Sequence, residues 1–268
     1  MTLPSLVRDR RAYSRPDACA MLSRQGPRVF AYLQRNQVMQ RFQVVGANVL
    51  GRDLAVGDIH GHFDRLQQSL DAVGFNTGKD RLFSVGDLVD RGPMSRAALH
   101  WLEQPWFYAV QGNHESLAIN LVRGGRLDLA MYHAAGGGWF IDSAAAEQLR
   151  IVERFEQMPI ALQVESASGP VGLLHADSPF DDWSTLRTWL ELGDDPDVLE
   201  TCLWSRRRLK QGDTTPISGL RALLVGHTTV QSVRQLGNVW HLDTGGWTSG
   251  HFSLMDLRTL TLVNARPA

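Results

Sequence analysis

Asp58, His60, Asp87, Asn113 and His114 fall in three short segments, DLAVGDIHG (53–61), LFSVGDLVDRG (82–92) and FYAVQGNHE (107–115). Each segment is an apolar run that ends in residues able to bind a metal or a phosphate. Two later runs end alike, VGLLH on His175 and ALLVGH on His227. Carboxylate, amide and imidazole donors without a thiolate suit Mn²⁺, Fe or Zn²⁺ better than Ca²⁺ or Cu(I). By donor type, Asp58, His60 and Asp87 form one set, and Asp87, Asn113, His175 and His227 form a second, with Asp87 bridging. Two such ions about 3.5 to 4 Å apart lower the pKa of a bridging water and clamp phosphoryl oxygens for in-line displacement at phosphorus. The chemistry this implies is hydrolysis of a phosphate ester.

Each segment also has a plainer explanation when taken alone. GDIHG is a glycine-flanked polar turn, GDLVDRG holds an Asp90 and Arg91 pair of the kind seen on surfaces, and GNHE is a helix start with Glu115 at the favourable end of the dipole. A histidine after a buried strand is more often structural than a ligand. All the plain explanations would have to hold together, in this order and spacing, whereas His175 and His227 supply the nitrogen ligands the first group lacks.

Positioning these residues requires strands that converge. In a strand covered on both faces the side chains are apolar, so the first polar group appears where the strand leaves the sheet. FQVV (42–45), DLAV (53–56), LFSV (82–85), FYAV (107–110), ALQVE (161–165), VGLLH (171–175), ALLVGH (222–227), VWHLD (239–243) and SLMDL (253–257) read as strands. FDRLQQSLDAV (63–73) places Phe63, Leu66, Leu70 and Val73 at helical spacing before Gly74. SRAALHWLE (95–103) and the stretch after GNHE continue as helices, and 125–158 reads as a mostly helical insertion broken at Gly136, Gly137 and Gly138. The remainder reads as strand-rich, so the fold class expected is mixed α/β with a two-sheet core.

At 268 residues and 43% hydrophobic composition, one large domain with a sizeable core is expected. No apolar run approaches the roughly 18 residues of a membrane helix, and no secretory signal pattern opens the chain, so a cytoplasmic protein with no membrane partner is expected. Cys19 and Cys202 are too few for a disulfide framework, and neither reads as catalytic. The net charge of −1 conceals an asymmetry. Residues 1–41 hold eight Arg and two Asp, a local charge of +6 against −7 for the rest. A basic arm can bind nucleic acid, but the reading adopted is a flexible solvated extension over 1–41, or a start assigned ahead of Met21 or Met39, preceding a single catalytic domain over 42–268. A nucleic-acid partner is not expected, and a monomer is.

GDIHG, GDLVDRG and GNHE together resemble the signature of the phosphoprotein phosphatase family of metallophosphoesterases. The likeness is strongest to its bacterial and bacteriophage branch and runs over roughly 53–260, through GGGWF (136–140), HADSPFDD (175–182), LWSRRRL (203–209), GHT (226–228) and HLDTGG (241–246). The resemblance implies a two-sheet β-sandwich flanked by helices, with the dinuclear site at the strand ends. It implies two divalent ions, Mn first, with Fe, Zn or Ni as alternatives. It makes His114 the acid that protonates the leaving oxygen, with Asp90 paired to it, while Arg91, Arg206 and Asn113 bind the phosphate. Arg206 is selected from Arg206, Arg207 and Arg208 by the family alignment through Trp204; the run itself cannot choose. These roles make chemical sense, because an alkoxide needs a proton near neutrality and guanidinium groups grip phosphate oxygens in pairs.

The activity implied is a serine/threonine protein phosphatase of broad or dual specificity, in which a metal-bridging hydroxide attacks phosphorus directly; its partner is a phosphorylated protein or peptide. A symmetrical dinucleoside tetraphosphate hydrolase, which shares the opening motifs, is the alternative, and a non-catalytic binding protein on the same fold is a remote third. His62 is read as a surface turn and His241 as structural support behind the site. Asp177, Asp181 and Asp182, with Phe180 and Trp183, form an acidic aromatic loop able to select basic peptides or merely to face solvent. GGGWF either flanks the cleft or stops a helix.

Overall fold

Apolar runs with no polar alternation are explained by the sheets they build. In the computed structural model, which describes residues 40–193 and 195–264, two mixed sheets are packed face to face and covered outside by helices. The basic extension expected over 1–41 lies, apart from its last two residues, outside the described residues, as does Cys19. The described residues belong to one compact unit.

One sheet has the order β1 (Phe42–Val45), β5 (Ala161–Val164), β6 (Val171–Leu173), β7 (Ala222–Val225), β9 (Val239–His241), β8 (Arg234–Leu236). The other has β11 (Thr261–Leu262), β10 (Leu254–Asp256), β2 (Asp53–Val56), β3 (Arg81–Ser84), β4 (Phe107–Ala109). Neighbouring residues in one strand enter different cores. Leu54 and Val56 face the outer helices while Ala55 faces the second sheet, and Leu223 and Val225 face out while Leu224 faces in. β7 is thus apolar and buried at every position, as is β2 from Leu54 to Val56, although their side chains alternate with period two.

Three cores result. The core between the sheets holds Phe83, Val85, Leu162, Val164, Leu173, Leu224 and Leu242. The five-stranded sheet carries α1 (Phe63–Ala72), α2 (Ala97–Leu102), α3 (Asn113–Arg123) and α6 (Ala145–Phe155) over its outer face through Phe63, Trp101, Leu117 and Phe155. The six-stranded sheet carries α7 (Trp183–Leu192) and α8 (Pro196–Trp204) through Trp183, Leu186, Leu190 and Cys202. Between α3 and α6 the insertion runs through α4 (Leu129–Tyr132), a π-helical turn at His133–Gly137 and α5 (Gly138–Ile141). It breaks at Gly136, whose φ of 101° no helix accommodates.

The expectation that everything after 158 is strand-rich needs correction. Residues 183–211 contain α7, α8 and α9 (Arg207–Gln211). Their starts carry ordinary signals: the Asp182 carboxylate accepts from Thr185 N, and Asp195 accepts from Val198 N ahead of Pro196. Trp183, Leu186 and Leu190 supply the buried stripe.

Register aligns the ends that matter. β2, β3 and β4 are parallel with Leu54 beside Leu82 and Leu82 beside Phe107, so the loops after them leave from one edge. β6 and β7 are parallel with Leu173 beside Leu224, and their loops also leave together.

At the opposite end, buried Asp80 ties the starts of β2 and β3 together. It accepts from Arg52 N at 2.8 Å, from Arg52 Nη2 at 2.7 Å and from Asn76 N at 3.1 Å. Burial alone would raise its pKa, but the Arg52 bonds and main-chain donors outweigh burial and lower it. A depressed folded pKa means stability that is present above the ordinary carboxylate range, about 3.9, and is lost as pH falls through the lower folded value. Asp80→Asn is expected to cost about 1.5–3 kcal/mol at pH 7 and to remove this part of the acid-side loss while leaving kcat/KM unchanged. Urea titrations at pH 7 and below pH 4 measure it; equal pH sensitivity in variant and wild type would count against it.

Candidate active site

The site is made of loops that follow strands. Asp58 and His60 lie two and four residues beyond the last residue of β2, Asp87 three beyond β3, Asn113 and His114 at the start of α3, His175 two beyond β6 and His227 two beyond β7. Among the described residues, six other than glycine have positive φ, and five belong here: His60 (45°), Asp87 (50°), Asp90 (70°), Arg91 (63°) and His227 (64°). Such backbone is costly and persists only where surroundings over-determine it.

Cross-bonds between loops provide that constraint. Ile59 N and His60 N both donate to Asp87 O, Gly61 N donates to Leu88 O, and Gly226 N donates to His175 O. His227 N donates to both oxygens of Asp58 at 3.1 Å, and His114 N donates to Asp87 Oδ1 at 3.0 Å. Glu115 adds a bond that the sequence reading missed, since it assigned this residue only to the helix dipole. Its buried carboxylate accepts from Gly112 N at 2.8 Å at the start of α3, and also from Asp87 N at 3.1 Å and Leu88 N at 2.8 Å. Burial and neighbouring Asp87 raise its pKa to about 7. Gly112 is required there because a Cβ would collide with Asp87 Oδ1.

Three imidazoles share one device. His60 Nδ1 lies 2.9 Å from Val89 O, His175 Nδ1 2.7 Å from Val85 O, and His227 Nε2 3.1 Å from Trp204 O. A carbonyl only accepts, so each of those nitrogens carries a hydrogen, and in the neutral ring that a metal ion requires the other presents a lone pair. His60 Nε2 is buried without a hydrogen-bond partner, 3.6 Å from Asp87 Oδ2 and 3.9 Å from Asp58 Oδ2. His175 Nε2 and His227 Nδ1 lie 2.9 and 2.8 Å from Asn113 Oδ1, and His175 Nε2 is also 3.3 Å from Asp87 Oδ1. Acceptor atoms turned on one another in a buried place are what a cation reconciles. The donor atoms of His60, Asp87 and His114 form one cluster and those of Asp87, His175 and His227 another, each within 4.8 Å, with Asp87 common to both.

Burial and mutual crowding shift the titration of the same groups in both directions. Burial, then Asp243 and Asp87, push the Asp58 carboxyl well above its ordinary range, whereas the histidines outweigh burial at Asp87 and pull it down. Burial lowers His60 and takes His227 to about 3; at His175 the Asp87 and Asp58 carboxylates outweigh burial and raise it to about 9. Asp243, a second residue the sequence reading left behind the site, accepts from Thr229 Oγ1 at 2.6 Å and Gly245 N at 3.0 Å.

On the rim, His114 Nδ1 is 2.6 Å from Asp90 Oδ2 and its Nε2 is 3.2 Å from Arg91 Nη2. Burial would lower the His114 pKa, but Asp87 and Asp90 outweigh it and raise it. Arg91 lies 4.5 Å over the ring of Trp247, on the short α10 (Gly246–Ser249), and that ring meets His60 edge-on at 5.1 Å. In the arginine run, Arg208 is buried against Asp177 at 2.9 Å, Arg207 is exposed and 4.0 Å from Asp213, and Arg206 reaches Thr228 Oγ1 at 3.4 Å beside His227. The acidic-loop reading is corrected in part: Asp177 is the buried partner of Arg208 and Asp182 caps α7, which leaves Asp181 exposed. His62 is half-buried at the start of α1, and His241 is buried with neither ring nitrogen partnered. Cys202 is a buried thiol whose pKa burial pushes up. Among the described residues, no helix is long and apolar enough to cross a membrane.

The signature of the calcineurin-like phosphoesterases matches residues 52–241. The chain is similar to serine/threonine-protein phosphatase 2 of Escherichia coli strain K12, 31% identical over 224 residues that cover 81% of this chain and 98% of that protein. It is also similar to a symmetrical bis(5'-nucleosyl)-tetraphosphatase of Dechloromonas aromatica, 42% identical over 73 residues, 26% of each. A solved structure described as a candidate diadenosine tetraphosphatase shares the fold, with a TM-score of 0.57 at 22% identity over 83% of this chain and 96% of that one.

Glu115→Ala would leave three buried main-chain N–H groups without an acceptor, so we expect a stability loss of about 2–4 kcal/mol by urea titration; a loss under about 1 kcal/mol would show that the loops hold themselves. Mn²⁺ at a hundredfold over its Kd is expected to add about 2.7 kcal/mol of stability. Calorimetric melting should show the increment in wild type and its loss in His175→Ala, and an increment surviving in that variant would remove His175 from the ligand set.

Proposed function

The chain belongs to the calcineurin-like phosphoesterase family and is a hydrolase of phosphoric esters, and from that premise we propose that it is a protein phosphatase acting on phosphoserine and phosphothreonine, with phosphotyrosine and phosphohistidine within its range. The observation that carries this reading is His114, held at Nδ1 by Asp90 and set at Nε2 beside Arg91. Serine and threonine leave as alkoxides, which must be protonated, and an imidazole fixed at one nitrogen by a carboxylate delivers a proton from the other. Likeness in length agrees: resemblance to the E. coli phosphatase spans 98% of that protein, and resemblance to the tetraphosphatase 26%.

Asp58, His60, Asp87, Asn113, His175 and His227 would hold two divalent ions, Mn²⁺ first, whose contribution when bound is to activate water and polarise phosphoryl oxygens. The chain's own groups do the rest. Arg91 and Arg206 hold the phosphate oxygens, and stacking on Trp247 restricts where the Arg91 guanidinium can go. A phosphate gripped by Arg91 places its ester oxygen toward His114 Nε2, since that nitrogen lies 3.2 Å from the guanidinium. Asp90 keeps the ring oriented and stabilises its cationic form.

A second reading, hydrolysis of symmetrical dinucleoside tetraphosphates, is favoured by the 42% identity over 73 residues. With Mn²⁺ present, His114→Asn is expected to slow phosphopeptide hydrolysis by about 10²–10⁴, and a variant as fast as wild type would take the acid role from His114. Measured side by side, kcat/KM should favour the phosphopeptide over diadenosine tetraphosphate; a large preference for the dinucleotide would replace the first reading by the second.

A further inference from the structure

The GGGWF segment (136–140) seats itself on the acid. Gly136 adopts φ 101° and packs so tightly on the Asp90–Arg91 turn that a Cβ would collide with Arg91 N, and a Cβ on Gly137 would collide with the ring of buried Tyr132. These two close approaches carry Trp139 to Asp90, where Nε1–H donates to Oδ1 at 2.7 Å. The other oxygen of the same carboxylate takes His114 Nδ1 at 2.6 Å, and Asp90 N donates to Ser95 Oγ at 2.9 Å. Asp90 is wholly buried, so it has no solvent to replace a missing donor. Trp139 is itself held from outside: Arg96 lies 5.4 Å over its ring, anchored to Glu147 and Ser143 at 2.8 Å, and Ser143 Oγ donates to Trp139 O.

We propose that Trp139 is a positioning residue for proton donation, acting through Asp90 on His114. A carboxylate with one donor on each oxygen has its plane fixed. Oδ2 then stays on Nδ1, and His114 Nε2 stays aimed at the ester oxygen. Without the indole N–H the carboxylate is free to turn, and the imidazole follows it. The role requires only that His114 protonates a leaving oxygen, and so it rests on the phosphoesterase reading above but not on which phosphoester is the natural substrate.

The distinguishing readout is the leaving group. Trp139→Phe, with Mn²⁺ present, is expected to lower kcat on a phosphoserine peptide about 10- to 100-fold, part of the about 10²–10⁴ a general acid contributes. It should lower kcat on 2,4-dinitrophenyl phosphate, whose leaving oxygen needs no proton, by less than about threefold. KM and the Mn²⁺-induced rise in Tm should stay as in wild type. Benzothienylalanine at 139, which keeps the indole shape and lacks the N–H, should reproduce this pattern, and it decides the matter if Trp139→Phe folds poorly. Equal loss on both esters, or no loss on either, would overturn the proposal. If His114→Asn shows no leaving-group dependence beyond that of wild type, the acid reading itself fails and takes this role with it.

Discussion

The Asp87 carboxylate faces imidazoles from both sheets, and the rest of the site is arranged to hold it there. His60 comes from the loop after β2, His175 from the loop after β6, and His114 N bonds it from α3. A buried carboxylate between lone-pair nitrogens is tenable only with cations or protons among them. Its main-chain N–H and that of Leu88 are taken by Glu115, which also closes the start of α3. One acidic side chain thus joins the second and third loops, and the carbonyl of Asp87 joins the second to the first through Ile59 N and His60 N.

Backbone strain explains why the loops are short and crossed. A left-handed residue reverses the chain within one or two positions, so a side chain just past a strand points back across the strand end. With His60, Asp87, Asp90, Arg91 and His227 all in this region, side chains from both sheets reach one small volume without long excursions. The sandwich makes this possible because each sheet is packed on both faces behind the loops, with separate cores outside each sheet and one between them.

Much of this was legible in the residues. Apolar runs marked strands buried on both faces, and the polar residues after them marked the edge, because alternation would have appeared had either face been wet. The helices at 183–211 carry their signals at their starts, in Asp182, Asp195 and Pro196, and not in a long apolar run. Glu115 stands in the first turn of α3 as expected, but its second role is not legible: a capping carboxylate and one that also holds a neighbouring loop look alike in a sequence, since the second partner is 28 residues away. The three carbonyls that set the tautomers belong to Val89, Val85 and Trp204, and no side-chain motif records a main-chain acceptor.

The clusters able to hold metal ions favour no particular phosphoester, because ions held by His60, Asp87, His175 and His227 would address the phosphoryl group and not what leaves it. What leaves it concerns the rim. Cleavage of a phosphoanhydride expels a nucleotide phosphate whose charge is already spread over several oxygens, and such a group departs with little help from an acid. A serine alkoxide does not. Here the imidazole we propose as the acid is braced at every remove: His114 by Asp90, Asp90 by Trp139 and Ser95, and Trp139 by Arg96 and Ser143. Such bracing matters most where protonation limits the reaction, and it therefore weighs toward phosphomonoesters of poor leaving groups.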